Sequence, residues 1–147
     1  MEPYALQAGE GRTYRYGINM TVKLGELHAG RGAAVAEYTT CQGEEPPDHT
    51  HSTEDEVFYV LSGTLTFRCG GQSFDVGTGG FVFLPQGVEH GYTIRSDAPV
   101  HLLVVTFPTR TAAHPGWGGF IADVEAQGEL VAEPKQSSKH DASTPGT

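Results

Sequence analysis

The chain has 147 residues, with 18 acidic against 9 basic side chains and only 2 cysteines. That is enough for one ordinary domain, which at this size buries about 68–70% of its unfolded surface without a disulfide framework. The net charge of −9 argues against nucleic acid and anionic membrane as partners, because nothing offsets phosphate repulsion and the few lysines and arginines are scattered. No apolar run approaches the roughly 20 residues of a spanning helix. The opening Met1-Glu2-Pro3-Tyr4 has neither the basic nor the apolar region of a secretion signal, so the expected compartment is the cytoplasm. Twenty glycines and nine prolines, dispersed along the chain, are the punctuation of many short strands and exclude bundles and coiled coils.

Runs rich in β-branched and aromatic residues, bounded by Gly, Pro or Asp, predict strands over 13–17, 20–24, 33–41, 56–61, 64–69, 72–76, 81–84, 91–95 and 100–107. Between two of them, Gly70 and Gly71 can supply the positive φ values of a primed hairpin turn. Short strands with short connections and no crossover helices predict an antiparallel all-β sandwich or small barrel. One helix is expected, over 119–127, after the strands. From Gly128 the composition turns polar, and 134–147 contains no apolar residue larger than alanine or proline. Such a segment cannot offset its ordering entropy by burial, so 1–127 reads as one domain and 128–147 as a disordered tail.

The chemistry is concentrated in two segments. In 43–63, GEEPPDHTHSTEDEVFYVLSG, His49 and His51 stand two apart and project from one face of an extended chain. Glu56 opens the next strand. With it inward, Phe58 and Val60 share its face, which sets a carboxylate on an apolar wall. In 79–90, GGFVFLPQGVEH, the turn Pro85-Gln86-Gly87 delivers His90. Three imidazoles and a carboxylate can then meet. Glu54 and Asp55 flank Glu56, and either could replace it if the strand shifts by a residue; otherwise they belong to a solvated loop. Cys41 and Cys69 are expected as ordinary free thiols. His101, in an apolar strand, is expected to pack or to line a pocket, whereas His28, His114 and His140 carry no spacing signal. The segment 114–120, HPGWGGF, reads equally as an aromatic cap over a barrel mouth or as packing beneath the C-terminal helix.

These two segments resemble the motifs of the cupin superfamily, G-x5-H-x-H-x4-E-x6-G and G-x5-P-x-G-x2-H, at every position through His90. The family pattern continues to an asparagine four residues later, where this chain has Ile94. That departure bears on packing behind the site rather than on ligation. The resemblance covers about 33–107 and implies a double-stranded β-helix, or jelly roll, of six to eight strands, usually dimeric. It implies His49, His51, Glu56 and His90 as ligands of one divalent transition metal ion per chain. Three neutral nitrogens and a carboxylate suit Fe, Ni, Mn, Co, Cu or Zn, and an octahedral ion would keep two positions open. A metal-free barrel would have to bury the same groups against one another, which leaves several hard to satisfy.

The stretch from Glu37 through the histidines, with the C-terminal aromatic segment and helix, is most similar to the small quercetinase-like dioxygenases of bacteria. This similarity implies a planar aromatic or enolic substrate bound through a deprotonated hydroxyl, with Glu56 as both ligand and general base. It further implies a ring-holding wall of Phe58, Val60, Phe83 and Tyr92. The same ligands also serve a metal-dependent lyase, isomerase or cyclase of natural-product metabolism, and the same barrel serves non-enzymatic binding of a small ligand.

Overall fold

The structure, a computed structural model, describes residues 2–25, 32–109 and 119–133. Among them the elements are β1 Arg12–Tyr16, β2 Ile18–Leu24, β3 Ala34–Thr40, β4 Glu54–Ser62, β5 Leu65–Cys69, β6 Gln72–Val76, β7 Phe81–Leu84, β8 His90–Ile94, β9 Val100–Pro108, α1 Phe120–Gln127 and β10 Glu129–Ala132. Every strand expected from sequence is present, with its ends displaced by at most two residues. The strands form a seven-stranded sheet, β10-β1-β2-β3-β9-β4-β7, and a three-stranded sheet, β6-β5-β8. All pairings are antiparallel, so period-two alternation decides what each strand buries.

On β4 the inward residues are Glu54, Glu56, Phe58 and Val60, and on β9 they are Val100, Leu102, Val104 and Thr106. The two sheets face each other across these side chains. The Phe58 ring lies 5.4 Å from that of Phe67 on β5 and 6.0 Å from that of Tyr92 on β8, which closes the structure as a jelly-roll barrel. Val60, Phe67, Val100, Leu102 and Val104 are all at 0% exposure. Each such side chain contributes about 1.5–3 kcal/mol by leaving water, and these five make the closed end the stabilising part of the barrel. The β5–β6 hairpin turns at Gly70 and Gly71, with φ of 58° and 82°, and pairs Cys69 with Gln72 as expected.

One expectation fails at the C-terminal side. The composition of 128–147 predicts a disordered tail throughout, yet Glu129–Ala132 form β10 on the free edge of β1. All four residues are exposed, so no inward apolar alternation marks them as a strand. Backbone pairing holds them, flanked by exposed ion pairs of Arg12 with Glu133 (3.0 Å) and Arg15 with Glu129 (3.2 Å). Pairs of that kind add little, at most about 1 kcal/mol each. The segment 134–147 lies outside the described residues, as do His28, His114, His140 and the 114–118 part of the expected aromatic cap. Cys41 and Cys69 are free thiols. Among the described residues no helix is long and apolar enough to cross a membrane.

Candidate metal centre

Backbone bonds fasten the two motif segments together before any side chain meets. His49 and His90 exchange both main-chain hydrogen bonds, at 2.9 and 2.8 Å, as an isolated antiparallel bridge. The turn before His90 is tied to the loop after His51: Gly87 N donates to His51 O, Gln86 N to Asp55 Oδ1 and Gln86 Nε2 to Ser52 O, each at 2.8 Å. Ahead of His49, the Arg68 guanidinium on β5 grips Asp48 at 2.8 and 3.3 Å, and that hydrogen bonding holds the Asp48 carboxyl below its usual range. The chain is thus fixed on both sides of the histidine pair.

The result is a compact cluster. His49, His51, Glu56 and His90 each offer one donor atom, all within 4.8 Å of one another. His49 Nε2 lies 3.1 Å from His51 Nε2, His90 Nε2 lies 3.1 Å from Glu56 Oε1, and His51 Nε2 lies 3.7 Å from the same oxygen. The proton positions follow from the outer partners. His49 Nδ1 is 2.9 Å from Pro47 O, a carbonyl that can only accept. His51 Nδ1 is 3.1 Å from Glu54 Oε2, which as a carboxylate also only accepts. In the neutral rings both protons therefore sit on Nδ1, and two unprotonated Nε2 lone pairs confront each other at 3.1 Å. Among the described residues the buried ring nitrogens of His90 have no hydrogen-bond partner, although Nε2 is close to Glu56. A cation among these atoms resolves both conflicts, and the nitrogen-rich donor set fits a divalent transition metal.

Glu54 is the feature that sequence reasoning placed wrongly. The sequence allows it as a spare ligand or a solvated loop residue, but it begins β4 and is 1% exposed. It stays outside the four-residue cluster and backs His51 instead. Burial alone would lower the His51 pKa, but the hydrogen bond with Glu54 and the charges of Glu56, Glu54 and Asp123 outweigh it and raise the pKa above its ordinary value. The signal was available in the strand period, since Glu54 is two residues before Glu56 and shares its face once β4 is extended. Asp55 points the other way and caps the Gln86 backbone.

Of the expected ring-holding wall, Phe58 and Tyr92 line the cavity beside the cluster, whereas Val60 and Phe83 do not. Val60 is fully buried in the core behind it. Phe83 is 49% exposed on the outer face, because Leu84 is the residue paired with inward Glu56 and its neighbour must point away. His101 also faces outward, 3.3 Å from Glu37. The cavity has a volume of about 670 Å³, and its remaining walls include Ile18, Met20, Tyr38 and Pro47, none of which the sequence singled out as pocket residues, together with Phe120, the last residue of the segment expected either to cap the mouth or to pack beneath the helix. No lysine or arginine lines it among the described residues. The Tyr38 and Tyr92 hydroxyls meet at 3.2 Å. Burial, helped by Tyr92 and Glu56, pushes the Tyr38 hydroxyl well above its usual pKa, and burial raises that of Tyr92 against the opposing hydrogen bond. Both phenols are therefore neutral donors.

A jelly-roll barrel with three histidines and a carboxylate converging at its mouth defines the class of protein. Residues 37–106 match the family model described as a cupin domain, and the chain belongs to the cupin superfamily. A stretch of 95 residues, 64% of the chain, is 28% identical to quercetin 2,3-dioxygenase of Bacillus subtilis, but it spans only 28% of that enzyme's length. Among solved structures, a Thermotoga maritima protein described as a predicted oxalate decarboxylase gives a TM-score of 0.61 at 18% identity, over 71% of this chain and 98% of that one. The cupin domain of Schizosaccharomyces pombe Cnp3 gives 0.57 at 15% identity, over 65% and 67%. At such identities these two likenesses are of fold alone.

Proposed function

We propose that the chain is a metal-dependent enzyme of the dioxygenase type acting on a planar aromatic or enolic small molecule. The carrying observation is the cavity itself, with about 670 Å³ of space, apolar and aromatic walls, a metal-competent cluster and, among the described residues, no lysine or arginine in its lining. Beyond the ion itself, a small dianion or a phosphate ester would find no cationic side chain among the described residues to offset its remaining charge. A flat, largely uncharged ring carrying one ionisable hydroxyl suits it. The partial identity with quercetin 2,3-dioxygenase supports the same reading.

When bound, a divalent ion supplies Lewis acidity that lowers the pKa of a coordinated hydroxyl. His49, His51 and His90 would hold it through imidazole nitrogen and Glu56 through a carboxylate oxygen. Glu56 would also accept the proton of the substrate hydroxyl, because it is the carboxylate of the four-residue cluster and lines the cavity beside Phe58. Tyr38 and Tyr92, kept protonated by burial, offer hydrogen bonds to a ring oxygen, while Phe58 and Phe120 exclude water from its faces. The test is dioxygen uptake by the full chain given flavonols. Anaerobic mixing should shift the flavonol's visible absorption as its hydroxyl ionises, and air should then bleach it. A shift without bleaching, together with a flat oxygen trace, would favour a lyase or isomerase using the same ligands. A homodimer is part of the proposal, supported by the exposed Tyr59, Phe81, Phe83 and Phe107 around edge strand β7; light scattering checks it.

A further inference from the structure

Helix α1 begins without a cap of its own. Its N-cap is Gly119, which has no side chain to accept the first free amides, and the helix makes no side-chain cap bond from that residue. The acceptor comes from 66 positions away in sequence: Phe120 N donates to Glu54 Oε2 at 2.7 Å. The same oxygen lies 3.1 Å from His51 Nδ1. One carboxylate, 1% exposed, therefore serves both the start of the helix and a member of the metal cluster. Its negative charge suits both duties, since it faces the positive end of a helix and fixes the proton of His51 on Nδ1, leaving Nε2 free toward the cluster.

The packing around this carboxylate leaves no slack. Gly119 has φ of 114°, and a Cβ built there would lie 2.6 Å from Glu54 Oε1. Only glycine permits that approach. The next residue, Phe120, carries its ring to 5.9 Å from the His51 ring and forms part of the cavity wall.

We propose that Glu54 is a positioning residue that couples the docking of α1 to the metal site, so that an ion on His51 and closure of the mouth by Phe120 stabilise each other. The proposal rests on the metal-site reading above. Coupling of this kind is reciprocal: whatever factor helix docking contributes to metal affinity, metal must return to helix docking. No contact between the helix and the ion is needed, because both act on the same carboxylate.

The test uses the full chain and Co(II) alone as probe, with affinity read from its visible absorption and folding checked by circular dichroism. Glu54→Ala should weaken Co(II) binding about 10–100-fold, the usual cost of losing the partner of a ligating histidine. Glu54→Gln, which keeps one acceptor oxygen, should lose less. Gly119→Ala is the discriminating variant, because it touches no ligand and lies outside the strands, so it informs even if Glu54→Ala fails to fold. It should weaken Co(II) about tenfold by unseating the helix from Glu54. In the parent, Co(II) should slow amide exchange in Phe120–Gln127 by a similar factor, and in Gly119→Ala it should not. Parent-like Co(II) affinity in Gly119→Ala, or exchange in α1 indifferent to Co(II), overturns the coupling while leaving the metal centre intact. A parent chain that binds no Co(II) overturns both.

Discussion

Along the inward face of β4 the residues run Glu54, Glu56, Phe58, Val60, and the barrel interior changes character with them. The mouth half buries Glu54, Glu56 and His90 at 1%, 3% and 3% exposure. The closed half, a few residues further, buries Val60, Phe67, Leu102 and Val104 and nothing charged. Two neighbouring stretches of one strand thus stand in opposite energetic regimes. Burying carboxylates and imidazoles costs free energy unless they are paired or metal-bound, whereas burying the aliphatic and aromatic side chains supplies it. The closed end can therefore carry the fold while the mouth holds a strained, polar arrangement that would be unaffordable alone.

If that division is right, variants at the two ends should fail in different ways. The largest effect is expected at the mouth. Glu56→Gln keeps an oxygen donor toward the metal but loses the proton acceptor, so at saturating metal turnover should fall by about 10²–10⁴ with the melting temperature nearly unchanged. Steady-state kinetics beside thermal denaturation checks it, and an equal loss of metal would reassign Glu56 to ligation only. At the closed end, Phe67→Ala should cost about 3–5 kcal/mol in urea unfolding. Whatever fraction remains folded should still bind metal with parental affinity.

A smaller effect distinguishes the loaded from the metal-free mouth. The raised His51 pKa means that, without metal, charged His51 stabilises the fold fully below its unfolded pKa of about 6.5, and this is lost as pH rises through the higher folded value. Metal binding needs the neutral ring, so the gain in melting temperature on adding metal should grow as pH rises through that window. A gain independent of pH between 5 and 8 would count against His51 as a ligand. The smallest effect is expected at the far edge of the large sheet. Truncation after Glu133 keeps β10 and its ion pairs and should shift stability by less than about 0.5 kcal/mol. Truncation after Gln127 removes β10, exposes the β1 edge and should cost measurably more.

Much of this was legible because the relevant signals are periodic. The spacing His49, His51, Glu56 and the turn delivering His90 depend on strand parity and one tight turn, and the four side chains do converge. Errors arose where parity had to be counted from an uncertain strand start. Beginning β4 at Glu56 hid Glu54, and counting β7 without its register to β4 turned Phe83 inward, when pairing of Glu56 with Leu84 turns it out. The strand β10 left no trace because it buries none of its side chains. The cavity walls from β1 and β2, including Ile18 and Met20, come from elements far from the motif segments in sequence, and only the fold reveals that they adjoin.

The account stands on one claim, that His49, His51, Glu56 and His90 hold an ion. Metal content per chain, measured by elemental analysis on protein expressed without added metal, tests it most directly when the parent is compared with His49→Ala, His51→Ala and His90→Ala. The account predicts close to one transition metal ion per parent chain and far less in each variant, with all four proteins sharing the same β-rich circular dichroism. Variants that retain the parent's metal content while folded would contradict it.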